Sequence, residues 1–181
     1  MCVHVPRLEA ARTSNQMRLL SSLCRELVSG ERAIAQSCPR EAERLGSSPP
    51  AMILRAVAGH ANDAATELML LCDACEIPTP TLSQRLVLFI STARSSVFDS
   101  LLPKEMSYRA CLAELHRGID TARLMRSAAR VTGHLEVADW CDNWLSVREP
   151  LLSLSGEELS WFAENPGRAM ARASFPALAR A

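Results

Sequence analysis

Residues 20–45, LSSLCRELVSGERAIAQSCPREAERL, decide the fold of this chain. Apolar side chains recur there at steps of three and four residues, which is the spacing of one face of an α-helix. We therefore predict one long amphipathic helix whose apolar face packs into a protein core. The members of that face are Leu20, Leu23, Cys24, Leu27, Ile34, Cys38, Ala42 and Leu45.

Glu31 interrupts this apolar face. It lies seven residues from both Cys24 and Cys38, so the three side chains share one side of the helix. An ionised carboxylate in a dry core costs several kcal/mol unless it is paired, protonated or bound to a metal. Two kinds of interpretation follow. In the first, Glu31 is a metal ligand. In the second, no metal is involved, and Glu31 leans out of the core or pairs with an arginine of another helix.

The charged residues argue against binding to nucleic acid or to membranes. The 20 basic and 20 acidic side chains of the 181 residues cancel, so no overall field attracts nucleic acid or an anionic membrane. The basic residues are also scattered through the predicted helices rather than collected on one of them. No stretch of about 18 uncharged apolar residues occurs, and the N-terminus lacks the apolar segment of a signal peptide. We expect a cytoplasmic protein.

The composition favours an all-α fold, because Ala, Leu and Arg dominate and aromatic residues are only 4% of the chain. Long amphipathic helices joined by short loops pack side by side, so we predict an antiparallel four-helix bundle with an extra C-terminal helical segment. Residues 1–13 are predicted to be a disordered lead-in and residues 165–181 a flexible tail, with a single domain over 14–164. The predicted helices are 14–45 with a kink or break at Pro39, 51–75, 81–101, 106–131, a segment from 134 that Pro150 interrupts, and a capping-box restart at Ser155 running to 164.

The seven cysteines fall mostly at apolar helical positions. An odd number of cysteines in such positions is typical of reduced thiols that serve as small apolar side chains. Cys72 and Cys75 have C-x-x-C spacing, but both face the predicted core and no second pair follows at zinc-finger spacing. We expect these two thiols to pack in the core. The alternative is a thiol-based metal or redox responder that uses Cys72 and Cys75.

Four side chains are candidates for a metal site: Glu31, His60, Glu67 and His116. Helical bundles hold metals between facing helices with single carboxylates and with Glu-x-x-His pairs. Carboxylate and imidazole ligands suit iron or manganese. The chain contains no Glu-x-x-His motif, so these residues form only a partial ligand set.

Two segments resemble the bacterial stress-induced ferritin-like bundles of the YciF type. Residues 27–31, Leu-Val-Ser-Gly-Glu, followed by Ala33-Ile34, are similar to the first helix of that family. The segment from His116 through Val131-Thr132-Gly133 to Leu145 is similar to its last two helices. The resemblance implies a ferritin-like fold over residues 20–160, with Glu31 as the first-helix carboxylate ligand and His116 as the fourth-helix histidine.

The same resemblance leaves several ligand positions unfilled. Asp63 stands where the family's second helix offers a glutamate, and Glu67 stands where it offers a histidine. In the last helix, Val147 and Arg148 stand where acids are expected. We therefore expect a ferritin-like bundle with a degenerate metal site and a stress-related or accessory role, acting as a homodimer or with a protein partner rather than as an enzyme. The alternative is an active di-iron or di-manganese carboxylate protein that uses the four candidates.

Overall fold

The computed structural model describes residues 6–77 and 102–171. Every regular element in these two ranges is an α-helix, so the predicted all-α class is confirmed. The predicted helix over 81–101 lies outside the described residues. The helices are α1 (Pro6–Leu45), α2 (Pro49–Ala74), α3 (Lys104–Thr132), α4 (Leu135–Glu157), α5 (Leu159–Glu164) and α6 (Pro166–Ala169).

Three prolines stand in places that sequence reasoning treated as non-helical. Helix α1 begins at Pro6 rather than at Ser14, and proline suits a first turn because its missing N–H has no helical partner there. The helix continues through Pro39, and α4 continues through Pro150. The predicted interruption at Pro150 is therefore wrong, and of the kink or break predicted at Pro39, the break is wrong. Packing of the apolar face before and after each proline offsets the hydrogen bond that the proline removes.

The C-terminal segment also differs from its prediction. Ser155 lies inside α4, where its hydroxyl donates to the Leu151 carbonyl at 2.7 Å, so it does not cap a new helix. Tyr108 of α3 donates to the Ser155 carbonyl at 2.8 Å and joins α3 to the end of α4. Helix α5 starts only at Leu159. Residues 172–181 of the predicted tail lie outside the described residues.

Each of the four long helices packs mainly against two others. Helix α1 packs against α2 and α3, and α4 packs against the same two helices. Ser107 of α3 donates to Glu41 at 2.7 Å and Thr121 donates to Glu26 at 3.3 Å, so α1 and α3 run in opposite directions. Helices α1 and α4 therefore face one another across the interior. None of the described helices combines the length and apolar composition that a membrane crossing requires.

The interior has two apolar clusters with a polar layer between them. All eight predicted members of the apolar face of α1 are buried, as the three- and four-residue spacing predicts. Leu27 belongs to the first cluster and Ile34 to the second. Glu31 lies between these two residues on α1. The fold thus places this carboxylate at the middle of the packed helices.

Candidate functional site

Glu31 pairs with an arginine from the opposite helix. The Arg148 Nη2 atom donates to the Glu31 Oε2 atom, and both side chains are 0% exposed. This is the arginine pairing that the sequence left open as one of two interpretations of Glu31. A guanidinium suits a buried carboxylate because it is always charged and carries several fixed N–H donors. The positive charge that balances Glu31 is therefore supplied by a side chain of the same protein chain.

Aromatic rings from α2 and α4 complete the polar layer. The Arg148 Cζ atom lies 5.0 Å from the centre of the Trp144 ring, a cation–π distance. The Trp144 ring in turn lies 6.1 Å from the ring of His60. Among the described residues, five buried polar atoms of this layer make no hydrogen bond of good geometry, although the Trp144 indole lies near enough to Glu31 to act on its pKa: Glu31 Oε1, His60 Nδ1, Trp144 Nε1, Arg148 Nε and Arg148 Nη1.

Burial dominates the protonation equilibria of this layer. It raises the pKa of Glu31 to about 7, although the Arg148 charge and the Trp144 indole act to lower it. Burial also lowers the pKa of Arg148, against the attraction of Glu31. Burial and then the Arg148 charge lower the pKa of His60. For both members of the ion pair, the loss of hydration outweighs their mutual attraction, which is the usual balance for a buried pair.

A cleft between α1 and α3 reaches the same carboxylate. The cleft is shallow, and its lining includes Gly30, Glu31, Glu114 and Gly118. A Cβ atom placed on Gly118 would lie 3.7 Å from the Trp144 ring and 3.9 Å from Glu31 Oε1, which are ordinary contact distances. Neither glycine is therefore required by crowding beside Glu31, whose side chain stays buried.

The four candidate ligands do not come together. His60 is half-buried and shares the polar layer with Glu31, whereas His116 is exposed on α3. Glu67 is exposed on α2, where it accepts a hydrogen bond from Trp140 Nε1 at 3.3 Å. Within residues 6–77 and 102–171, no group of three or more His, Cys, Asp or Glu side chains is arranged to hold a metal ion. With Arg148 on the central carboxylate, these residues do not fit an iron or manganese centre.

Arg148 and Trp144 are the residues that sequence reasoning missed as members of the site. A signal was present, because Arg148 follows the buried Trp144 by four residues and Cys141 by seven. That spacing puts the arginine on the buried face of α4. A buried acidic residue on one helix and a buried basic residue on another are a reason to look for an ion pair.

The thiols pair between helices rather than along α2. Cys72 is buried and lies within hydrogen-bonding reach of Cys24 on α1, while Cys75 is only partly buried. Contact with Cys72 and burial raise the pKa of Cys24. Cys38 of α1 lies within the same reach of Cys111 on α3. The C-x-x-C spacing therefore did not identify the thiols that meet.

Comparison with known proteins supports the fold alone. No family model and no curated protein matches the chain. A crystal structure of a protein from Xanthomonas campestris pv. campestris is similar, with a TM-score of 0.66 and 13% sequence identity. The match covers 83% of this chain and 94% of that chain. Such a likeness indicates shared architecture and carries no activity with it.

Proposed function

We propose that the chain is a ferritin-like four-helix bundle whose central charge is balanced by Arg148, and that it acts as an accessory protein through contacts with other chains. The order of packing supports the bundle, because α1 and α4 each contact both α2 and α3. The opposite directions of α1 and α3 are also those of neighbouring helices in an antiparallel bundle.

The buried pair of Glu31 and Arg148 is the observation that carries this proposal. In a metal-binding bundle, core carboxylates are balanced by metal ions held between the helices. Here a guanidinium donates to one oxygen of the carboxylate, and its positive charge opposes the entry of a divalent cation. The centre therefore holds the helices in one arrangement without metal chemistry.

Apolar side chains on the outer surface support the accessory role. Leu124 and Val131 lie a heptad apart on α3 and are 50% and 65% exposed, and Leu135 at the start of α4 is 60% exposed. Leu124 and Val131 share one side of α3, and a contiguous exposed apolar patch is characteristic of a contact site between proteins. We propose that a second copy of the chain packs there. Light scattering after a sizing column should report a dimer that Val131→Glu converts to a monomer, and a wild-type monomer at every concentration would contradict this contact.

Metal analysis tests the proposed centre. The protein is purified without chelator, analysed for metals, loaded with Fe(II) under anaerobic conditions and then exposed to air. We expect no stoichiometric metal and no absorbance transient from iron oxidation. A pair of irons per chain with such a transient, lost in Glu31→Ala and kept in Glu43→Ala, an exposed carboxylate of α1 outside the candidate ligand set, would overturn the proposal in favour of an active di-iron protein.

A further inference from the structure

Two cysteines face one another where α1 packs against α3. Cys38 lies three residues before Glu41 on α1, and Cys111 lies four residues after Ser107 on α3. Because Glu41 and Ser107 are hydrogen-bonded and the helices run in opposite directions, the two cysteines occupy the same level. Their thiols lie within hydrogen-bonding reach of one another. Both side chains also pack in the second apolar cluster, and a disulfide between them requires Cα atoms about 4.4–6.8 Å apart.

The surroundings of this pair favour thiol chemistry. The Cys111 thiol interaction lowers the pKa of Cys38, burial opposes that change, and the positive charge of Arg148 lowers the pKa further. A thiolate is the reactive form of cysteine, and a nearby cation favours it. Cys111 is only partly buried, so a small oxidant reaches the pair from its side. Cys38, by contrast, is 1% exposed.

A second pair of thiols provides an internal comparison. Cys24 and Cys72 also meet between two helices, α1 and α2. Both of these residues are buried. The interactions that shift the pKa of Cys72 include no nearby cation. The two pairs thus share a contact between helices but differ in access and in charge.

We propose that Cys38 and Cys111 form a reversible disulfide that joins α1 to α3 in the presence of hydrogen peroxide. One thiolate of the pair attacks one peroxide oxygen, the O–O bond breaks, and the sulfenic acid of that cysteine and water form after proton uptake. The thiolate of the other cysteine then attacks that sulfur, and the hydroxyl leaves as a second water. In total, two thiols and one peroxide give one disulfide and two waters. A dithiol reductant reverses the bond by thiol–disulfide exchange.

Peptide mapping of the full-length protein tests the pair. The reduced chain is titrated with hydrogen peroxide, its remaining thiols are blocked with N-ethylmaleimide, and its peptides are analysed by mass spectrometry without reductant. We expect a cross-linked peptide containing Cys38 and Cys111 that dithiothreitol removes. Cys111→Ser should abolish the cross-link, and Cys72→Ser should leave its yield and peroxide dependence unchanged.

Three results would overturn the proposal. They are oxidation of Cys111 to sulfinic acid without a cross-link, a disulfide of Cys72 with Cys24 or Cys75 at a lower peroxide dose, and no reaction at any dose that leaves the fold intact. Circular dichroism of each variant checks folding, and Cys111→Ala replaces the serine variant if the latter is unfolded. The proposal is independent of metal binding at Glu31, so the metal analysis and this titration succeed or fail separately.

Discussion

Replacing both members of the buried ion pair should restore the stability that either single replacement removes. Glu31→Leu leaves the Arg148 guanidinium buried without a partner, and Arg148→Met leaves the carboxylate in the same condition. Breaking a buried pair in this way costs about 3–5 kcal/mol for each single variant. If the two changes were independent, the double variant would lose about 6–10 kcal/mol, which is most of the stability of a typical domain.

The structure indicates a different outcome for the double variant. Three polar atoms of the pair have no partner, namely Glu31 Oε1, Arg148 Nε and Arg148 Nη1. At about 1–3 kcal/mol each, their burial costs about 3–9 kcal/mol. The direct charge-assisted hydrogen bond returns about 1.5–3 kcal/mol, and the contact with Trp144 returns up to about 2 kcal/mol. We therefore expect the free energy of unfolding of the double variant to lie within about 1 kcal/mol of the wild-type value or above it.

Urea denaturation followed by far-UV circular dichroism measures these free energies of unfolding. Arg123 and Glu149 provide a matched control, because their 2.8 Å ion pair is exposed and also joins α3 to α4. Glu149→Leu should change the free energy of unfolding by no more than about 1 kcal/mol. A double variant that loses the sum of both single losses would refute the reasoning, since the buried pair would then be a net source of stability.

Two further changes test the polar layer. The pKa of Glu31 is raised from 4.5 to about 7 in the folded chain, so the unfolded chain releases this proton first as pH rises. The free energy of unfolding of the wild type relative to Glu31→Gln should therefore fall by about 3 kcal/mol between pH 4.5 and about pH 7, and it should level off above pH 7. Urea midpoints that move together in both proteins across this pH range would contradict the raised pKa of Glu31. Gly118→Ala should raise the free energy of unfolding by about 0.5–1 kcal/mol, as should the exposed control Gly59→Ala, because each gains helix propensity and neither Cβ is crowded. A loss confined to Gly118→Ala would mean that the α1–α3 surface is closed beside Glu31.

A charge reversal at the centre tests whether Arg148 stands in for a metal. Arg148→Glu places a second carboxylate beside Glu31, so the variant should be less stable than the wild type without metal. Because ligands that bind only the folded state raise its stability, Mn(II) should then raise the melting temperature of Arg148→Glu. Arg148→Gln, which removes the cation without adding a carboxylate, serves as the control and should not respond. Equal changes in melting temperature of the two variants would contradict the idea that Arg148 takes the place of a metal ion beside Glu31.

Much of the helical organisation follows from local patterns. The apolar spacing of residues 20–45 correctly predicted the buried face of α1, and Gly133, with a φ of 81°, ends α3 at Thr132, one residue beyond the predicted end. Errors occurred at Pro39 and Pro150, where proline was treated as a helix breaker. Proline removes a single helical hydrogen bond, and long helices packed on both sides of that point tolerate the loss.

The candidate site was predicted only in part. Glu31 was correctly identified as a carboxylate on the buried face that needs a compensating partner, because a helical period is enough to place a side chain on a buried face. His116 and Glu67 are exposed, since a residue at the edge of an apolar face turns inward or outward according to its neighbouring helix. Cys72 is buried and Cys75 packs against the same cluster, as the core-packing prediction for the C-x-x-C residues expected, but the spacing could not show that Cys72 meets Cys24 of another helix.

The sequence by itself determined that Glu31 lies on the apolar side of its helix, since it shares that side with Cys24 and Cys38. Only the tertiary structure decided that Arg148 is its partner, a residue 117 positions further along the chain. Helical periodicity places each side chain around its own axis but does not say which helices face one another. That pairing depends on how four long helices bury their apolar faces together, and it places the guanidinium of α4 opposite the carboxylate of α1.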